Sequence, residues 1–256
     1  MFENAVILDP NFALAYAAIG NVCAQNHYNY GRDPVWMQRA IKASETAVVL
    51  RPDLPEVQVA QAWILYANGK YDEAVAVQKA IERKRDCEGA YYILGRTLFS
   101  AGRYQEVANM ADAAVEASGD DYNIYVPIMN SLGALGKEEA LRNFRQRRIS
   151  ALEQHVKHVP EDARARIILA NDYAAMGRLD EAVRETNLAM TLRPNEATVL
   201  YNAACAFCSM KKKPEALDAL RKAWDAGFKD PAWAAATPTS SFCTATPNST
   251  ACIRKD

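Results

Sequence analysis

The chain has 256 residues, half of them apolar, and its 30 Lys and Arg against 31 Asp and Glu leave a formal net charge of −1. That is ample material for a core, and the balanced charge removes any global pull toward nucleic acid or an anionic membrane. No apolar run reaches the roughly 18 residues that span a bilayer, and the text MFENAVILDP lacks the basic start and apolar stretch of a secretory leader, so the cytoplasm is the default compartment.

Residues 1–12 read as the close of a second helix, marked by Ala5, Leu8, Asp9 and Pro10, whose first helix is missing. The chain is therefore expected to begin inside a repeat, with more repeats or another domain upstream. From about residue 13 to 54, Tyr16, Ile19 and Gly20 mark a first helix. An extra segment, His27 to Pro34 (HYNYGRDP), separates it from the second helix, whose first turn suits Pro34. Residues 55–87 supply Ala62, Leu65, Gly69, Tyr71 and Ala74; residues 88–121 supply Tyr91, Leu94, Gly95, Leu98, Gly102, Tyr104 and Ala114.

Between 122 and 162, Tyr125, Ile128, Leu132 and Gly136 keep the pattern. Pro127 is expected to kink the first helix through its missing donor, and the second helix, from about Lys137 to His158, runs about two turns long. Residues 163–196 show the unit most cleanly. Leu169, Ala170 and Tyr173 share one helical face, Gly177 ends that helix, Asp180 and Glu181 open the next, Ala182 and Ala189 lie seven apart, and Pro194 stops it. Residues 197–230 repeat this with Leu200, Ala203, Ala204 and Phe207, then Ala216, Leu220 and Ala223.

Residues 233–256 lose all helical period and turn rich in Ala, Thr, Ser and Pro, so they are expected to be disordered. Shifting permitted codons by one nucleotide near Ala235 yields text ending in Asp-Pro-Glu-Phe, which makes a frameshifted tail the expectation.

This order of large, small and aromatic residues, then small residues and Pro, recurring at about 34 residues, resembles the tetratricopeptide repeat family. The resemblance implies an all-α, TPR-type α-solenoid, a right-handed superhelix of antiparallel helix pairs. It would hold about six repeats across residues 13–232, two of them with extended helices or loops. The array is also similar to the C-terminal repeat regions of bacterial signalling proteins associated with Ser/Thr kinases or adenylate and guanylate cyclases. That likeness implies a protein–protein interaction scaffold, a regulatory fragment and not an enzyme, needing no cofactor and binding a protein or peptide, with homodimerisation as a further use.

In this family the first helices line the concave surface where a ligand sits. The corresponding residues here are Tyr92 and Arg96, then Asn123 and Asn130, then Arg164 and Asn171, then Tyr201 and Asn202. Asn donates and accepts together, so a ladder of Asn suits an extended peptide backbone. Some members clasp a chaperone's terminal carboxylate with paired Asn and several basic residues. Asn171 and Asn202 match those Asn positions, but Ile167 stands where a cation is needed and the tail replaces the third helix.

Other chemistry lacks an address. Cys23, Cys87, Cys205, Cys208, Cys243 and Cys252 are too sparse for a disulfide framework, and the Cys205/Cys208 pair stands without further zinc ligands or a redox-type context. His155 and His158 share a helical face beside Gln154 and Lys157 but make a thin ligand set, and His27 has no acid or nucleophile beside it. The acid pairs Asp72/Glu73 and Asp180/Glu181 read as helix-start chemistry. The basic residues Arg142, Arg145, Arg147, Arg148 and Lys157, with Arg83–Arg85 and Lys211–Lys213, read as solvated faces. A small-ligand or metal-sensing helical domain is the alternative reading.

Overall fold

The repeated glycines become one recurring turn. In the computed structural model, which describes residues 1–29 and 33–228, six of the described helix ends close with the same pair of backbone hydrogen bonds. Lys70 N–H donates to Leu65 O (2.9 Å) and Gly69 N–H to Tyr66 O (3.0 Å). The longer bond recurs as Arg103 to Leu98 (2.8 Å), Lys137 to Leu132 (2.9 Å), Arg178 to Tyr173 (2.8 Å), Lys212 to Phe207 (2.9 Å) and Phe228 to Ala223 (3.0 Å). This closure needs a left-handed residue just past the helix. Gly69, Gly102, Gly136 and Gly177 supply it with φ between 66° and 79°, Gly227 with φ 95°, and Lys211 takes the same role at φ 59°.

The described regular structure is entirely helical, and the chain divides into two compact units, Met1–Arg145 and Gln146–Asp256, with the boundary inside one helix. Unit 1 holds α1 (Phe2–Leu8), α2 (Ala13–Asn29), α3 (Pro34–Leu50), α4 (Pro55–Ala67), α5 (Tyr71–Ala74), α6 (Gln78–Arg83), α7 (Ala90–Ser100), α8 (Tyr104–Ser118) and α9 (Tyr125–Ala134). It also holds the start of α10 (Glu138–His158). A 3₁₀ turn at Val75–Val77 tightens the passage from α5 to α6, and a second one, Tyr122–Ile124, precedes α9.

Helix α2 packs on α3 and α4, α4 on α7, and α7 on α8 and α9, so the first helices adjoin in chain order. Small residues allow the approach: Ala17, Ala47, Val57 and Ala60 form one buried cluster, and a Cβ added at Gly95 would lie 2.9 Å from Pro127 Cγ.

Two local expectations change. Within HYNYGRDP, α2 continues to Asn29 and α3 begins at Pro34, capped by Asp33, whose carboxylate accepts from Val35 N–H (2.9 Å); residues 30–32 lie outside the described part. Pro127 sits in the first turn of α9, because the preceding turn is 3₁₀ and the helix starts at Tyr125. There a missing N–H costs little, so Pro127 takes no bond from the body of the helix, unlike the mid-helix proline expected.

Unit 2 takes the remainder of α10, then α11 (Ala163–Ala175), α12 (Leu179–Leu192), α13 (Ala197–Ser209) and α14 (Lys213–Asp225). Helices α11 and α12 pair, α13 and α14 pair, and α11 packs on α13. Ala182, Ala189, Ala216 and Ala223 are all buried, and Leu200, Tyr201 and Ala223 form a cluster that Met190, Leu220 and Phe228 extend. Asp162 caps α11, accepting from Ala165 N–H at 3.0 Å.

The unit also contains ion pairs. Arg148 Nε and Nη2 meet Asp172 at 2.7 Å each, with side chains only 12% and 2% exposed, and Arg166 meets Glu185 at 2.5 Å. The expected disordered, frameshifted tail at 233–256 lies outside the described residues, as do Cys243 and Cys252.

Candidate functional site

In unit 1 the α7 pair Tyr92 and Arg96, one helical turn apart, share a face with aromatic residues from two other helices. Trp63 and Tyr66, three apart on α4, and Tyr28, at the end of α2, close around the guanidinium. Its carbon lies 4.8 Å from the ring centre of Tyr28, 5.4 Å from Tyr66, 5.6 Å from Tyr92 and 5.9 Å from Trp63. The rings hold one another: Tyr28 stacks on Trp63 at 5.4 Å, and Tyr66 meets Tyr28 edge-on at 5.2 Å.

Hydrogen bonds fix the frame. Arg96 Nη1 donates to the Tyr92 hydroxyl (3.1 Å), which donates onward to Asn29 Oδ1 (3.0 Å), while Arg96 Nη2 reaches the Tyr66 hydroxyl at a long 3.4 Å. Trp63 Nε1 donates to Asn21 Oδ1 at 2.8 Å, and Gln25 donates to the same oxygen at 3.1 Å. Burial works most strongly against the Arg96 charge, but the phenol oxygens of Tyr92 and Tyr66 more than offset it, so its pKa lies above the ordinary arginine value. Arg96 Nε is buried without a hydrogen-bond partner, and no carboxylate among the described residues pairs with this cation.

The other residues read as binding positions fall in different places. Asn123 is engaged locally, its backbone and side-chain N–H groups both donating to Asp121 Oδ1 (2.9 and 2.7 Å). Asn130 is exposed on α9. In unit 2, Arg164 and Asn171 are half-buried on α11 and share a face, and Asn202 is half-buried on α13. The side chains of Asn130, Asn171 and Asn202 make no hydrogen bond within the described residues.

Tyr92 and Tyr201, set by the family resemblance among the ligand-facing positions, are each 1% exposed. Tyr92 is covered by Trp63 of α4, and Tyr201 stacks flat on Phe228 at 4.2 Å, a residue beyond the turn that ends α14. Reading along single helices misses Tyr28, Asn29, Trp63 and Tyr66 as members of the Arg96 cluster; the i, i+3 spacing of Trp63 and Tyr66 was the one signal available.

Elsewhere the polar residues have separate partners. His155 Nε2 meets Asp162 (2.9 Å), His158 Nδ1 meets the Gln154 carbonyl (2.9 Å) and His27 Nδ1 meets the Asp33 carbonyl (2.9 Å). Lys84 pairs with Glu56 (2.8 Å) and Arg85 with Glu116 (2.9 Å). Burial pushes the Cys87 thiol up to about 11. Among the described residues no three His, Cys, Asp or Glu gather as a metal site, and no helix is long and apolar enough to cross a membrane.

Comparisons with known proteins agree with this architecture. Residues 37–114 match the family described as anaphase-promoting complex, cyclosome, subunit 3, and residues 163–185 match the tetratricopeptide repeat family. No curated protein matches the chain significantly. Among solved structures, TTC0263, a thermophilic TPR protein of Thermus thermophilus, is 21% identical, covering 74% of this chain and 99% of its own, with a TM-score of 0.56. YrrB, a TPR protein with an unusual peptide-binding site, is 23% identical over 72% of this chain and 92% of its own, with a TM-score of 0.46. MamA 41-end from Desulfovibrio magneticus RS-1 is 17% identical over 68% and 95%, with a TM-score of 0.48. The chain therefore has an all-α fold of the tetratricopeptide α-solenoid type, and the support for the repeat family lies in residues 37–114 and 163–185.

Proposed function

We propose that this chain is a protein-interaction scaffold that holds a partner protein or an extended peptide on the faces of its first helices. It would act in the cytoplasm as a regulatory fragment of a larger bacterial signalling protein, with no catalysis or cofactor of its own. One observation carries the reading: Asn130, Asn171 and Asn202, on the first helices α9, α11 and α13, keep their side-chain amides free of hydrogen bonds to the described residues. An amide held out from a packed helix face donates to one peptide carbonyl and accepts from one peptide N–H, which grips a backbone with little regard to its sequence.

The signalling context and the cytoplasmic setting rest on the family resemblance. Panning a random peptide library on the full chain, then measuring the selected peptides against Asn130→Ala, Asn171→Ala and Asn202→Ala, tests the binding reading. Each hydrogen bond of this kind is worth about 0.5–1.5 kcal/mol, so each substitution should weaken a peptide that spans its helix by about two- to twelvefold. Peptides that bind all three variants as they bind the parent chain defeat the proposal.

A further inference from the structure

We propose that the Arg96 box in unit 1 is a recognition site for a carboxylate carried by the partner. This rests on the scaffold reading above and adds to it the chemistry of one anchoring group. Two other partly buried arginines, Arg148 and Arg178, turn one edge of the guanidinium to an acid. Arg148 offers its Nε/Nη2 edge to Asp172 at 2.7 and 2.7 Å, and Arg178 offers the same edge to Glu181 at 2.6 and 2.5 Å. That edge is the fork that matches the two oxygens of a carboxylate.

Arg178 is the nearest internal analogue. Its guanidinium also lies over a tyrosine, Tyr173, at 4.0 Å, and two acids, Glu181 and Glu153, complete it. Arg96 has the aromatic half of this arrangement and lacks the acidic half. Its Nε has no acceptor, and Nη2 of the same edge has only the Tyr66 hydroxyl at 3.4 Å, at the limit of a hydrogen bond. The four rings stabilise positive charge through their faces but offer no acceptor to Nε.

A carboxylate entering beside Tyr66 replaces that weak contact at Nη2, and takes Nε as well once the half-buried Tyr66 ring turns aside. One fixed cation suits a monoanion better than a phosphate, which carries close to two charges at neutral pH and is normally met by several donors. The basic residues Lys84 and Arg85 of the same unit already pair with Glu56 and Glu116. The low dielectric around the box makes a charged ligand discriminate sharply from its neutral isostere.

The test is a titration of the full chain, labelled with ¹⁵N at arginine, following each Nε–H signal. The probes are an N-acetylated hexapeptide amide with one central Glu, its Gln twin, an N-acetylated peptide with no acid except a free C-terminus, and inorganic phosphate. The Arg96 Nε–H is expected to move downfield and saturate with a carboxylate probe, with at least tenfold weaker response to the Gln twin. The Arg148 and Arg178 signals, already bonded, should stay still. The Glu peptide and the free C-terminus separate a side-chain carboxylate from a terminal one. Arg96→Lys keeps charge and stem but loses the fork, and should reduce the preference for Glu over Gln severalfold, whereas Arg96→Gln, which removes the charge, should abolish it.

No movement of the Arg96 signal with either carboxylate probe overturns the proposal, as does tighter saturation by phosphate. A library-selected peptide that still binds in that case, and still depends on Asn130, Asn171 or Asn202, leaves the scaffold reading standing. If Arg96→Lys is poorly folded, the comparison of Glu and Gln probes on the parent chain decides alone.

Discussion

Lys211 occupies the turn between α13 and α14 with φ at 59°, its N–H donating to Cys208 O at 2.9 Å and the next N–H to Phe207 O at 2.9 Å. The same turn elsewhere uses Gly69, Gly102, Gly136 and Gly177. An L-residue in the left-handed region costs about 1–2 kcal/mol, and glycine's greater freedom in the unfolded chain returns about 0.5–1 kcal/mol of that. Lys211→Gly should therefore stabilise unit 2 by about 0.5–1 kcal/mol, equivalent to about 2–6 °C in the melting temperature of a unit this size.

Removing a charge from the Lys211–Lys213 run also contributes, so Lys211→Gln, which keeps the backbone penalty, isolates the φ effect. The reverse change, Gly177→Ala, should cost about 1 kcal/mol, because a Cβ there meets nothing within 4 Å and only the backbone resists it. Urea unfolding of the full chain, with hydrogen exchange of α11–α14 to localise the change, reads all three variants. A Lys211→Gly chain no more stable than Lys211→Gln, beside a destabilised Gly177→Ala, refutes the reasoning.

Asp172→Ala leaves the nearly buried Arg148 charge without its main acid, and unit 2 should lose about 3–5 kcal/mol, whereas the double change Arg148→Met with Asp172→Leu should cost far less; denaturant midpoints decide. Gly95→Ala forces a Cβ to within 2.9 Å of Pro127 Cγ and 3.2 Å of Met110 Cε, and should cost unit 1 about 1–3 kcal/mol, with part of the loss recovered in a Pro127→Ala background. Because burial raises the Cys87 thiol to about 11, thiolate is scarce below that pH. Its native alkylation by iodoacetamide should rise about tenfold per pH unit from 7 to 10, and mass spectrometry should find it far slower than in urea.

The repeat was legible because its turns and close contacts demand particular residues. A left-handed residue after α4, α7, α9 and α11 selects glycine, and crossing helices select Gly95, Ala182 or Ala189. Lys211 hid the turn after α13, since nothing in Met-Lys-Lys-Lys-Pro announces a positive φ. The segment from His27 to Pro34 reads as a loop from its Gly and Pro, yet α2 runs on to Asn29 and carries Tyr28 to Arg96.

Periodicity along one helix placed Tyr92 beside Arg96. It says nothing of what neighbouring helices lay over them, so the covering of Tyr92 by Trp63 and of Tyr201 by Phe228 was invisible. Asn123, set among binding positions by its register, turned out to hold its own turn through Asp121 because the residues before α9 wind as a 3₁₀ turn.

The claim that the first helices carry a partner is tested most directly by backbone amide shifts of the full chain titrated with a library-selected peptide. The account predicts saturable shifts concentrated on α7, α9, α11 and α13, or on the subset that the peptide spans, and weakened when the Asn residue in that stretch becomes Ala. Shifts confined to α8, α12 and α14, or the failure of every selected peptide to bind saturably, would contradict it.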